Sequence, residues 1–145
     1  MDNSNEYVSH GHCKYCVQYH IIWCPKFRFH VLKHDIEMTL KECLYATCRE
    51  YGYGIKALEV MPDHIHIFLA AGVTDRPCDM VRILKSKTAI RLLDAYPELR
   101  QFYKRCGVLW SRGYCLSTIG KISENTVCRY IERQKQANGK TKGRR

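Results

Sequence analysis

In a β-strand alternate side chains point to the same face, so His64-Ile65-His66 sends two imidazoles to one side and Ile65, with Ile67 and Leu69, to the other. Two imidazoles one strand repeat apart can grip a single divalent ion, and an ion held there can polarise a phosphoryl oxygen and orient a leaving group. By spacing alone the pair also fits two half-exposed strand histidines. Tyr130 and Gln134 stand four residues apart in a stretch of helical periodicity and project from one helix face, where a phenol and an amide ligand could act together. The same spacing also suits a tyrosine packed with Val127 and Ile131 and a glutamine at the wet edge. Cys13-x-x-Cys16, preceded by His10 and His12, has zinc-ligand spacing, but a structural zinc site wants a second ligand pair in a turn. Here Cys16, Gln18, His20 and Ile22 alternate with Val17, Tyr19, Ile21 and Trp23 as in a strand.

The elements that must position these groups can be read from hydrophobic periodicity. Cys13 to Trp23 predicts a first strand ending at Pro25, and Asp35 to Tyr51 an amphipathic helix stopped by Gly52 and Gly54. Ile55 to Val60 and His64 to Ala70 are apolar runs separated by Met61-Pro62-Asp63, the signature of a hairpin turn. Asp79 to Ala95 predicts a second helix with Val81, Leu84, Thr88 and Leu92 on one side, ending at the Pro97 boundary. Val108 to Ile119 returns to β-type residues, and Ser123 can cap a last helix that carries Tyr130 and ends at Gly139. The order is that of an α+β, ferredoxin-like split βαββαβ fold: a four-stranded antiparallel sheet with helices on one face, plus a C-terminal helix carrying the tyrosine.

Length and charge set the frame. The 145 residues suit one domain, expected over 13–138, with residues 1–12 polar and frayed and a basic tail at 139–145. Hydrophobic residues make up 46% and charged residues 26%, which excludes a disordered chain and leads us to expect a packed core. No apolar run approaches the ~20 residues of a membrane helix, and the first residues lack the pattern of a secretion signal, so a cytoplasmic protein with no membrane association is expected. Nine cysteines in that setting are expected to be reduced thiols, several of them small buried hydrophobes. Of the net charge of +10, six bases fall in the last thirteen residues, which hold no acid, and the balance favours a polyanionic partner.

Five segments in register resemble one family. They are Tyr19-His20-Ile21-Ile22-Trp23-Cys24-Pro25-Lys26 with Arg28 and Val31-Leu32, Glu59-Val60-Met61-Pro62-Asp63-His64-Ile65-His66, Lys85-Ser86-Lys87 with Arg91-Leu92, Leu109-Trp110 with Ser117-Thr118-Ile119-Gly120, and Tyr130-Ile131-Glu132-x-Gln134. The chain looks like a TnpA-like single-tyrosine HUH transposase of the insertion-sequence 200/605 group, enzymes that move DNA as single strands. The resemblance covers about Cys13 to Gln136 and implies that His64 and His66 are the HUH histidines, Tyr130 the nucleophile and Gln134 the third metal ligand. It further implies a homodimer in which the tyrosine helix of one subunit completes the site of the other, a hinge at Ile119 to Ser123, and recognition of a hairpin near the element's ends. The polar start, the cysteine richness and the tail from Lys140 are not part of the shared pattern.

The implied reaction is attack of the Tyr130 oxygen on a DNA phosphodiester, giving a free 3′-OH and a 5′-phosphotyrosine. Imidazole and amide ligands suit Mn²⁺ better than Mg²⁺ by softness, while the resemblance points to Mg²⁺. Lys26, Arg28, Lys85, Lys87 and Arg91 are the candidates for tracking the DNA backbone, and Tyr19, Trp23, Phe27 or Phe29 for base stacking. Two rival readings use the same residues: a single-strand-binding protein with no chemistry, and a metal-dependent nuclease with water as nucleophile.

Overall fold

The computed structural model describes residues 8–10, 13–15 and 17–119. The expected third helix with Tyr130 and Gln134, the hinge beyond Ile119, Cys16 and the basic tail lie outside the described residues. Among the described residues the strands and α-helices follow in order: β1 (Val8–His10), β2 (Cys13–Tyr15), β3 (Val17–Trp23), α1 (His34–Tyr51), β4 (Gly54–Met61), β5 (His64–Ala71), α2 (Pro77–Ala95), α3 (Pro97–Phe102) and β6 (Cys115–Ile119). Strands β3 to β6 form one sheet in the order β4-β5-β3-β6 with every neighbour antiparallel, so β3 and β4, joined through α1, are split by β5. This is the α+β split arrangement expected from the periodicity.

The period of two divides the sheet into unlike faces. Tyr19, Ile21 and Trp23 of β3 and Ile65, Ile67 and Leu69 of β5 are buried with Leu40, Leu44 and Cys48 of α1 and Val81, Leu84 and Leu92 of α2 in one core. The other face carries Gln18, His20 and Ile22, then His64, His66 and Phe68, with Glu59 and Met61 beside them on β4. Helix α1 stops where Gly52 takes φ 78, a left-handed conformation that costs glycine nothing, and the Tyr53 N–H bonds the Cys48 carbonyl at 2.8 Å. Tyr96 ties the ends of both long helices together, its hydroxyl 2.8 Å from the Asp35 carbonyl and 2.6 Å from Thr39 Oγ1.

Three expectations are corrected. The run from Cys13 to Trp23 is two strands: Cys13–Tyr15 pairs with Val8–His10 as a separate two-stranded hairpin, which also places a strand in the segment expected to fray. Pro97 does not simply end the helical region; it occupies the first turn of the short helix α3, where its missing N–H costs nothing. The β-type run from Val108 becomes a strand only at Cys115. Before it, the Lys85 ammonium gathers the carbonyls of Ser111, Arg112 and Gly113 at 2.5, 3.2 and 3.2 Å, turning three successive acceptors toward one donor, whereas a strand would alternate them. Cys24, Cys43, Cys48, Cys78, Cys106 and Cys115 are free thiols.

Candidate functional site

His64 opens β5 directly after the Pro62-Asp63 turn, and His66 follows on the same face, as alternation requires. Their Nε2 atoms converge to 2.9 Å, with the rings near perpendicular at 73°. Each ring is steered from behind. Asp63 Oδ1 lies 2.6 Å from His64 Nδ1, so Nδ1–H donates to the carboxylate and Nε2 is left as the lone pair facing inward. His66 Nδ1 lies 3.3 Å from Nε2 of His20, whose ring stacks on that of His66 at 5.5 Å and 12°.

Electrostatics favour the ligand state of His66. Burial, followed by the neighbouring His64 and His20, pushes the His66 imidazole down to about 4, so the ring is neutral at physiological pH, the form that ligates metals. His20 is also lowered by burial. At Asp63 burial opposes ionisation, yet the His64 hydrogen bond and the charges of His64, Arg28 and His30 outweigh it and hold the carboxyl below the ordinary range. Arg28 Nε donates to Asp63 Oδ2 at 3.1 Å, and His30 Nε2 stands 3.9 Å from the same oxygen.

The donor set fits a divalent ion: two imidazoles whose Nε2 atoms converge, each oriented by a partner on its outer nitrogen. Among the described residues no group of three His, Cys, Asp or Glu could complete a metal site, so a further ligand must be of another type or come from elsewhere. Gln134 is such a residue and, like Tyr130, lies outside the described residues.

The five basic candidates are not brought together. Lys26 and Arg28 follow the end of β3, and Arg28 is engaged with Asp63 beside His64. Lys85 spends its donors on the 111–113 carbonyls, and burial lowers its pKa. Exposed Lys87 and Arg91 stand on α2, in the layer covering the opposite face of the sheet from His64 and His66. Sequence reading missed Asp63 and His20 as parts of the site. Asp63 had been used only as a turn signal, and His20 joins the pair only because β3 registers antiparallel to β5, with Ile22 opposite His66.

The loop that carries Lys26 to His30 is held in an unusual shape. Phe27 and Arg28 have φ 63 and 56, left-handed values costing non-glycine residues about 1–3 kcal/mol each. Several contacts fix the loop: Lys26 N to the Leu109 carbonyl at 2.7 Å, Tyr103 Oη to the Lys26 carbonyl at 3.1 Å, and Leu32 N to the Pro62 carbonyl at 3.0 Å. The contacts of Asp63 and Leu32 tie this loop to the turn that precedes His64.

The family model for IS200-like transposases matches residues 13–134. The chain belongs to the IS200-like transposase family. It is 36% identical over 120 residues to the ISDra2 transposase TnpA of Deinococcus radiodurans, spanning 83% of this chain and 85% of that one. It is 27% identical over 124 residues to the transposase of insertion sequence IS200 from Salmonella typhimurium, with 86% and 80% covered. Among solved structures, a protein of Deinococcus radiodurans R1 described as a transposase superposes with a TM-score of 0.70 at 35% identity, covering 87% of this chain and 95% of that one. A REP-associated tyrosine transposase bound to a REP hairpin shares the fold, with a TM-score of 0.61 at 17% identity, 92% of this chain and 77% of that one. This transposase fold therefore presents the imidazole pair on the sheet face opposite α1 and α2. No described helix is long and apolar enough to cross a membrane.

Proposed function

We propose that this transposase cleaves and rejoins single-stranded DNA at insertion-sequence ends, with Tyr130 as nucleophile and His64, His66 and Gln134 holding a divalent ion, Mg²⁺ or Mn²⁺. The observation that carries the reading is the convergence of two imidazole Nε2 atoms at 2.9 Å, each ring steered by a partner on its outer nitrogen, in a chain of this family. When bound, the ion supplies charge against a phosphate oxygen and so favours in-line displacement.

The chain's own groups do the rest. Asp63 fixes the His64 tautomer, and His20 sets the plane of His66, so both rings are oriented before DNA arrives. The Tyr130 oxygen forms a bond to phosphorus as the bond to the 3′-oxygen breaks; the phenol proton departs and the leaving oxygen becomes a 3′-OH. The product is a 5′-phosphotyrosine, which a different 3′-OH reverses to rejoin the strand without ATP. Using tyrosine instead of water keeps the phosphoester in the protein-DNA linkage. A phenol of pKa about 10 is mostly neutral at pH 7, so positioning beside a neutralised phosphate must provide the acceleration.

A hairpin near the element's end is the proposed recognition feature, as the REP-associated relative is described with a REP hairpin bound. A homodimer, with the tyrosine helix acting on the partner's histidines, is part of the same proposal.

The test mixes purified protein with labelled single strands from both genomic flanks, in Mg²⁺, Mn²⁺ or EDTA, on a denaturing gel beside Tyr130→Phe. A metal-dependent covalent band on one strand, absent from duplex and lost in Tyr130→Phe, is expected. Cleavage that survives Tyr130→Phe with no covalent band would replace this reading with a hydrolytic nuclease, and binding without cleavage on either flank would replace it with a non-catalytic binder.

A further inference from the structure

Outside the imidazole site, the most unusual surface is aromatic. Phe27, Phe29 and Phe102 are 65%, 44% and 55% exposed, yet they touch one another in series. Phe27 and Phe29 lie 5.6 Å apart between ring centroids, and Phe29 meets Phe102 edge-on at 5.1 Å. With Tyr103, Arg105 and Cys106 they line an open notch of about 310 Å³. Three neighbouring phenylalanines left in water forgo the burial that usually explains such residues, and contiguous exposed apolar surface marks a binding site.

We propose that Phe27, Phe29 and Phe102 form a stacking platform for an unpaired nucleobase of the DNA strand whose phosphate lies at His64 and His66. Three observations support this occupant. The rings are rigidly mounted: Tyr103 is buried, packs against Phe102 at 5.1 Å and holds the Lys26 carbonyl, while Phe27 itself sits at φ 63, a conformation the loop maintains against its preference. The surroundings suit a polyanion: residues 26–33 and 99–106, which supply the rings, contain Lys26, Arg28, Lys33, Arg100, Lys104 and Arg105 and no acid. Lys26 Nζ stands 5.6 Å from the Phe27 centroid, placing a phosphate-binding cation beside a stacking face. Finally, Arg28, between the two loop phenylalanines, bonds Asp63, which bonds His64. The platform is therefore one residue from the side chain that links this loop to the metal ligand. A base stacked there would fix the register of the strand.

The inference rests on the proposed single-strand reading. The test measures binding of a fluorescein-labelled mixed-sequence single strand, and of its duplex, to the full chain and to Phe27→Ala/Phe102→Ala. Stacking predicts that the single-strand Kd rises roughly 5- to 150-fold. The slope of affinity against salt should stay unchanged because no phosphate contact is lost, and Phe27→Tyr should bind as the parent does. Unchanged single-strand affinity, or an equal loss on duplex, would overturn it. Should the double variant fail to fold, ultraviolet crosslinking of the parent protein to strands carrying 5-iododeoxyuridine decides: adducts at Phe27, Phe29 or Phe102 support the platform, and adducts confined to other residues overturn it. The two readings fail separately. Normal binding by the phenylalanine variants with the Tyr130 adduct intact removes the platform alone, whereas a parent protein that binds no single strand removes both.

Discussion

Strand β5 carries two surfaces that differ in almost every respect though they alternate residue by residue. Ile65, Ile67 and Leu69 are fully buried under α1 and α2, surrounded by apolar side chains that any similar hydrophobe could partly replace. His64 and His66 face the other way, each held through its outer nitrogen by one specific partner. The first face contributes area, which is tolerant of detail; the second depends on single atoms, which is not. One strand thus serves stability and chemistry through its period of two.

The sharpest way to separate these roles is to truncate neighbours. His66→Ala should abolish metal-dependent cleavage while leaving DNA binding and chemical stability close to the parent. Ile67→Ala, one residue on, should lower unfolding free energy by about 2–5 kcal/mol and leave cleavage per folded molecule intact. Denaturant melts and single-strand cleavage assays on both variants check this. A His66→Ala protein that still cleaves would break the contrast, as would an Ile67→Ala protein of unchanged stability.

A smaller effect should sharpen the role of the groups behind the imidazoles. Asp63→Asn keeps the size of the side chain but weakens acceptance of the His64 Nδ1 proton and gives up the charge that holds Arg28. Metal affinity, followed by Mn²⁺ titration in the absence of DNA, is expected to fall about 10- to 100-fold, the usual result of losing an outer partner of a histidine ligand. Asp63→Glu should recover part of it. If Asp63→Asn binds Mn²⁺ as the parent does, the carboxylate serves only the turn.

The contrast between faces also accounts for what the sequence disclosed. Periodicity placed β4, β5, α1 and α2 within one or two residues, because each has a single buried face with a regular repeat. It failed where local contacts overrule pattern: Pro97 starts α3 as readily as it ends α2, and the Lys85 ammonium draws 111–113 out of a run that reads as β. At the site, the His-x-His spacing was visible because both ligands share one strand. Asp63 and His20 were hidden, since the role of the first comes from turn geometry and that of the second from pairing between residues 46 apart in sequence. Lys87 and Arg91 looked like DNA contacts from charge alone, and only the layering of the fold separates them from the imidazoles.

The smallest predicted effect is one of alkaline pH, and it tests the apolar side of the comparison. Cys48, Tyr53 and Tyr103 belong to the helix-covered core, and burial above all pushes each of them up to about 12. In the unfolded chain these groups ionise near pH 8.5 for the thiol and about 10 for the phenols. Between those values and about 12 the folded protein keeps protons that the unfolded chain releases, so the unfolded state binds fewer and stability must fall as pH rises. The contribution is fully present below about pH 8 and is lost progressively above it. Thermal melts from pH 8 to 11 should show a steady drop in Tm, and Tyr53→Phe should flatten part of that slope because the ionisable oxygen is gone while most of the ring packing remains. A slope identical in Tyr53→Phe and the parent would mean that the alkaline loss arises outside this core, and the division of labour between the two faces would need another marker.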